Sequence, residues 1–321
     1  MDHSQSGSRS DSHDAEWDNR VERAASADIR QMLRDARRRG RERWVVGAVV
    51  VLAVTLVLTL LIRIWLFDSP VPAAIPATTE PSPPAALVID LRHPYAGSPA
   101  ATWADGAAGF ELPARQPAGP FTAAEVDTAT HQVRDVLVAS RLDPQVLVDH
   151  DPARFLGGFA PDARRQLQPL FRAGREAEVQ SLVSMVASGT RLLSVPPKVR
   201  GSMSVHPGGP GELVVHTNYV FVYAFSADSP DQLTSVMDIL VVVRAEVDYV
   251  LRTGQRWTPA SRGWWYGEAG GYAYSIACDT YRKGFLAPAY TEPGGTEVSG
   301  QDRSRYFDPA SPLPAATGCP R

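Results

Sequence analysis

The chain of 321 residues lacks most of what recognisable chemistry requires. It has only two cysteines, Cys278 and Cys319, and only two lysines, Lys198 and Lys283. Cysteines this sparse, with no Cys or His ligands beside them, do not make a zinc site. There is no Walker-type loop, no G-x-S-x-G, no H-E-x-x-H and no C-x-x-C, so no motif-borne phosphate, acyl-transfer, zinc-protease or dithiol chemistry can be assigned. No N-x-S/T sequon occurs. A net charge of −3 leaves no basic footprint for nucleic acid. The seven histidines are scattered: His3, His13 and His93 precede the expected domain, and His131, His150, His206 and His216 fall within it without metal-ligand spacing. No metal site and no cofactor is expected.

What the chain does have is one long apolar run. From Trp44 to Phe67 it reads WVVGAVVVLAVTLVLTLLIRIWLF, with no charge from Trp44 through Ile62. Nineteen helical residues at ~1.5 Å each reach ~28 Å, close to the hydrocarbon thickness of a bilayer. A transmembrane signal-anchor at 44–67 is the expectation, since the run is too long and too far from the start for a cleaved signal peptide. Arg37, Arg38, Arg39, Arg41 and Arg43 crowd its N-terminal flank. Basic flanks stay inside, so residues 1–43 are expected in the cytoplasm and the C-terminal part beyond the membrane. The tail 1–43 is expected to be disordered apart from a basic segment beside the span, either an amphipathic helix on the lipid surface or a plain charged stop. Residues 68–120 contain eleven prolines and read as a stiff linker.

A folded domain is expected over 121–278. Thr122 and Glu125 form a capping box, with Phe121 placed to staple Val126. Val126, Ala129, Val133, Val136 and Leu137 then mark one helical face. Prolines 152 and 161 mark two further helix starts, and a helix is expected from Arg175 to Ser188. Beyond the prolines at 196 and 197 the period changes to two. Val199–Val205 and Leu213–Phe225 read as strands around the turn at Gly208, Gly209 and Gly211. Val236–Arg252 alternates sharply, with Met237, Ile239, Val241, Val243, Ala245, Val247, Tyr249 and Leu251 on one face. A last strand falls between Trp264 and Cys278. Residues 279–321 form a Pro/Gly-rich tail, tied back if Cys278 and Cys319 are bonded; the alternative is two free thiols. Helices first and long antiparallel strands afterwards imply an α+β domain, with helices packed on a curved sheet.

This order of elements (span, linker, helices, long bent strands) resembles the membrane-tethered nuclear-transport-factor-2-like domains. Among them are the actinobacterial Mce-associated proteins and the inner-membrane assembly factors of conjugation and type IV secretion machines. The resemblance covers about 121–278 and implies a cone-like domain with a pocket. It rests on element order and carries over no catalytic residue.

The candidate pocket residues are the polar face of the long strand: Asp238, Arg244, Glu246 and Asp248. Facing a cavity, they offer carboxylates and a cation for binding or acid/base work; facing solvent, they are the wet side of a sheet. Trp264, Trp265 and Tyr266 are a recognition surface or core packing. Three functions follow. The leading one is a non-catalytic scaffold or assembly component of the cell envelope, with the lipid bilayer and envelope proteins as partners and self-association possible. The others are a ligand-binding or sensory module, and an enzyme using the strand carboxylates.

Overall fold

The computed structural model describes residues 89–229, 233–292, 303–313 and 319. Five antiparallel strands form one sheet in chain order: β1 (Ala104–Asp105), β2 (Lys198–Pro207), β3 (Glu212–Ala224), β4 (Leu240–Arg252) and β5 (Gly263–Tyr274). The helices are α1 (Ala123–Arg141), α2 (Pro144–Leu147), α3 (Ala153–Gly157), α4 (Pro161–Leu167) and α5 (Cys278–Arg282). The class is α+β.

α1 starts where its capping box places it. The Glu125 amide donates to Thr122 Oγ1 at 3.3 Å, and the Thr122 amide donates to Glu125 Oε2 at 2.8 Å. Its buried stripe, Val126, Ala129, Val133, Val136 and Leu137, packs on the sheet. The residues on β3 divide by parity, as a strand requires. Leu213, Val215, Tyr219, Phe221 and Tyr223 join α1 in one apolar cluster. Val220, Val222 and Ala224 point the other way, into a second cluster.

That second cluster corrects the expected linker. Ile89, Tyr95, Ala100 and Trp103 are buried against Val220 and Val222, on the face away from α1. Tyr95 Oη donates to the Pro196 carbonyl at 2.9 Å, and Lys198 Nζ donates to the Trp103 carbonyl at 2.9 Å. The chain then pairs with β2 through β1, and Phe110 reaches the α1 side. Residues 89–110 therefore wrap the β2 edge. At the other edge, Tyr306 and Phe307 sit in the second cluster while Cys319 sits in the first. Cys278 and Cys319 are disulfide-bonded, as the sequence reading expected.

The expectation of a transmembrane helix is corrected. Among the described residues no helix is long and apolar enough to cross a membrane. The longest, α1, carries Glu125, Asp127, Arg134, Asp135 and Arg141. A single-pass membrane protein with an extracytoplasmic domain is thus not supported. The stretch 44–67 and its flank Arg37, Arg38, Arg39, Arg41 and Arg43 lie outside the described residues.

The expected cone of helices is corrected as well, because among the described residues helices are few and only α1 is long. Residues 175–188 hold a single 3₁₀ turn, Glu176–Glu178. Val179, Leu182, Val183 and Val186 are buried as expected, but the backbone bonds outward. The Ser184 amide donates to Ser140 at 3.0 Å, Val186 to Leu147 at 2.7 Å and Ala187 to Leu286 at 2.9 Å. Three valines and three serines between 179 and 188 are poor helix formers, so these outside acceptors win.

The disulfide closes a separation of 41 residues, for which chain entropy predicts about 4 kcal/mol. Replacing both cysteines by serine should lower the unfolding free energy by about 2–4 kcal/mol, read as a lower urea midpoint. An unchanged midpoint would mean that the bond does not hold the C-terminal segment against the fold.

Candidate functional site

The structure separates the four residues nominated on the long strand. The chain is a 3₁₀ turn from Val236 to Ile239, so strand alternation begins only at Leu240. Asp238 consequently leaves the strand face. Its carboxylate accepts from the amides of Thr234 at 2.8 Å and Ser235 at 2.9 Å, as a cap. The predicted apolar face breaks there too, since Met237 and Ile239 pack in the second cluster and Val241 onward in the first.

Arg244, Glu246 and Asp248 do share a face, with His216 and Asn218 opposite them on β3. His216 Nδ1 lies 2.8 Å from Asp248 Oδ1, and its Nε2 lies 3.7 Å from Glu246 Oε1. Arg244 is 3% exposed; its Nε donates to Asn218 Oδ1 at 2.9 Å and it also bonds Glu246 and the Ser311 carbonyl. Asn218 Nδ2 donates to the Pro309 carbonyl at 2.8 Å. The C-terminal segment thus lies on this face, and the nominated groups satisfy one another. Ser204 stands beside His216 in register, an Asp–His–Ser order across three strands, but no hydrogen bond joins Ser204 to His216. Further along, Arg252 bonds Glu212 at 3.0 Å and lies over the rings of Trp257 and Trp265 at 4.4 and 4.2 Å. Trp264 and Tyr266 belong to the α1-side core.

A cavity of about 270 Å³ opens on the opposite side of the sheet. Its position follows from a bulge. Val247 pairs with Ala269 and Tyr249 with Tyr266, so Gly267 and Glu268 together stand opposite Asp248. The extra residue switches the parity of β5. Tyr266 before the bulge and Ala269, Gly271 and Ala273 after it then share the α1 side. Ala245 on β4 adds a fourth small residue beside Gly271. A Cβ at Gly271 would stand 2.3 Å from the Arg244 carbonyl oxygen, so that position stays bare. Where neighbouring strand positions carry tyrosine and tryptophan, these carry almost nothing, and the segment 177–185 spans the space left.

Arg141, the last residue of α1, lines this cavity and is 2% exposed. Its guanidinium donates to the Ser181 carbonyl at 2.6 Å, the Gln180 carbonyl at 3.3 Å and Ser184 Oγ at 3.1 Å. Tyr223 Oη bonds Ser184 and the Arg141 carbonyl, both at 3.0 Å, and Tyr266 Oη donates to the Ser181 carbonyl at 2.8 Å. Burial pushes the Tyr223 phenol up to about 12 and Tyr266 well above its usual value, so both stay neutral. The sequence reading missed this site. One signal was available: Val133, Leu137 and Arg141 are spaced by four, which puts an arginine on the buried stripe of α1. The bulge that aligns the small residues of β5 had no such signal.

Comparison with protein-family models, with curated proteins and with solved structures finds no match. The likeness to nuclear-transport-factor-2-like domains therefore rests on element order alone. Among the described residues, no group of three or more His, Cys, Asp or Glu is arranged to hold a metal ion.

The Asp248 carboxylate is the main cause of a raised His216 pKa, with burial opposing it. A raised imidazole contributes stability that is full below the unfolded value of about 6.5 and is lost as pH rises through the folded value. Urea midpoints should therefore fall as pH rises above about 6.5, and less steeply for His216→Gln. An identical slope in both proteins would remove His216 as the source.

Proposed function

We propose that the domain is a non-catalytic binding module whose ligand site is the cavity between β4, β5 and residues 177–185. The observation that carries this reading is the cavity itself, about 270 Å³ between a rigid sheet and a segment of irregular backbone. It is just below the ~300–1,000 Å³ common for small-molecule sites, which points to a small ligand. Ala177, Glu178, Ser181, Ala269 and Gly271 stand exposed at its rim, while Val183, Met185, Val243 and Leu286 are buried along its walls.

An enzyme using the polar face of β4 has less support. Asp238 is a cap, Arg244 is held by Asn218, Glu246 and Ser311, and Asp248 is held by His216. Each of these groups is already satisfied inside the fold. An assembly component acting through a sticky surface also has less support. Among the described residues the only large exposed hydrophobic side chains are Val148 and Tyr290, which are far apart in sequence and make no patch by themselves.

A fragment screen by saturation-transfer NMR on the full chain tests the reading. Small fragments should bind the wild type and lose binding in Ala245→Leu, which fills the floor, and in Ala269→Leu, which narrows the rim. If the same fragments bind all three proteins equally, the cavity is not the site and the reading fails.

A further inference from the structure

Three charged side chains are buried among the described residues. Asp143 pairs with Arg154 at 2.6 Å, and Arg244 with Glu246 at 3.4 Å. Among the described residues Arg141 has no ion-pair partner, only the ring of Phe221, whose centroid lies 6.0 Å from its Cζ. Its three acceptors are two carbonyls and a hydroxyl, none carrying a full charge. Glu178, the one carboxylate on the cavity wall, is taken by Arg175 at 2.6 Å on the outside of the segment. The tyrosines around Arg141 cannot supply the charge either. Tyr223, Tyr249, Tyr266 and Tyr281 all feel the guanidinium, yet burial raises every one of them above its usual value and keeps it neutral. The C-terminal dipole of α1 offers only a partial negative charge.

A buried cation without an anion is costly, and buried charges are normally paired. A guanidinium has five N–H donors, and three of those on Arg141 have protein acceptors. Two are left for something else. The side chain lines a cavity with polar residues on the segment side at Gln180, Ser181 and Ser184, an apolar wall at Val183, Met185, Val243 and Leu286, and bare positions at Ala245 and Gly271.

We propose that the cavity binds a small organic carboxylate, with Arg141 as its counter-ion and the apolar walls covering its hydrocarbon part. The proposal rests on the binding-module reading and names its ligand class. The planar fork of arginine matches a carboxylate in two parallel hydrogen bonds, which a lysine would not. At ~30 Å³ per water-sized atom, a volume of 270 Å³ holds about nine non-hydrogen atoms. An inorganic anion would leave the apolar walls empty, whereas a carboxylate with a short hydrocarbon tail fills both parts.

Benzoate, at about nine non-hydrogen atoms, is the probe, with benzamide as its uncharged isostere and inorganic phosphate as the tail-less anion. Calorimetric titration of the full chain should show benzoate binding about tenfold or more tighter than either, a gap of about 1.4 kcal/mol. Arg141→Gln should abolish the preference for benzoate over benzamide, and Arg141→Lys should keep part of it. Because Arg141 also holds the 180–184 segment, Ala245→Leu and Ala269→Leu serve as variants that retain the guanidinium and should lose benzoate. Benzamide binding as tightly as benzoate, with both lost in the cavity-filling variants, would overturn the carboxylate and leave the binding module standing. Phosphate binding as tightly would overturn it too. Benzoate bound equally by the filled variants would overturn both readings, and no benzoate binding in the millimolar range would overturn the carboxylate.

Discussion

The pairing of β3 with β4 is the constraint to which the rest of the structure answers. Thirteen residues of each strand run in unbroken antiparallel register, from Glu212 opposite Arg252 to Ala224 opposite Leu240. At the Ala224 end the pair is apolar on both faces, with Phe221, Tyr223 and Val241 on one and Val220, Val222 and Val242 on the other. Two apolar faces need two covers. α1 and the 179–186 segment supply one. The other comes from outside the helical region, from residues 89–103 and from Tyr306 and Phe307, so both flanks of the domain fold round the sheet edges. Tyr306 stacks on Tyr274 at 4.1 Å, and the disulfide holds the end of that strap on the far side.

At the opposite end the same pair is polar on one face only. The two buried arginines differ instructively. Arg244 lies on a strand whose neighbours carry Asn218 and Glu246, so it finds an acceptor and a charge within its own sheet. Arg141 arrives from a helix end into a cavity where two carbonyls and a hydroxyl accept from it and no charged acceptor does. One arginine is used up by the fold. The other is left with capacity to spare beside open volume, and that contrast is why the binding reading is attached to Arg141 and not to the polar strand face.

Local signals were legible where a single segment decides the outcome. The capping box at Thr122–Glu125, the helix start at Pro161 and the alternation of β3 need only neighbouring residues, so the reading of each agrees with the structure. Pro152 stands one position earlier than expected, as the N-cap of a helix that begins at Ala153. The helix expected over 175–188 failed because its valines are buried in the right places but its amides have acceptors on other segments. Asp238 failed because one 3₁₀ turn shifts the parity by which it was grouped with Glu246 and Asp248. The candidate site was barely legible, since it depends on a bulge at Gly267–Glu268 and on what lies across from it.

The sequence by itself determined the α+β order, the cap of α1, the period-two run of β3 and the two cysteines available to bond. These are matters of period, of propensity and of the small number of possible partners. Tertiary structure alone decided that residues 89–110 belong to the fold, that the polar face of β4 is satisfied from within, and that small residues on two strands line up beneath Arg141. Each of those depends on register between segments far apart in the chain, and a change of one residue in register sends every side chain to the other face.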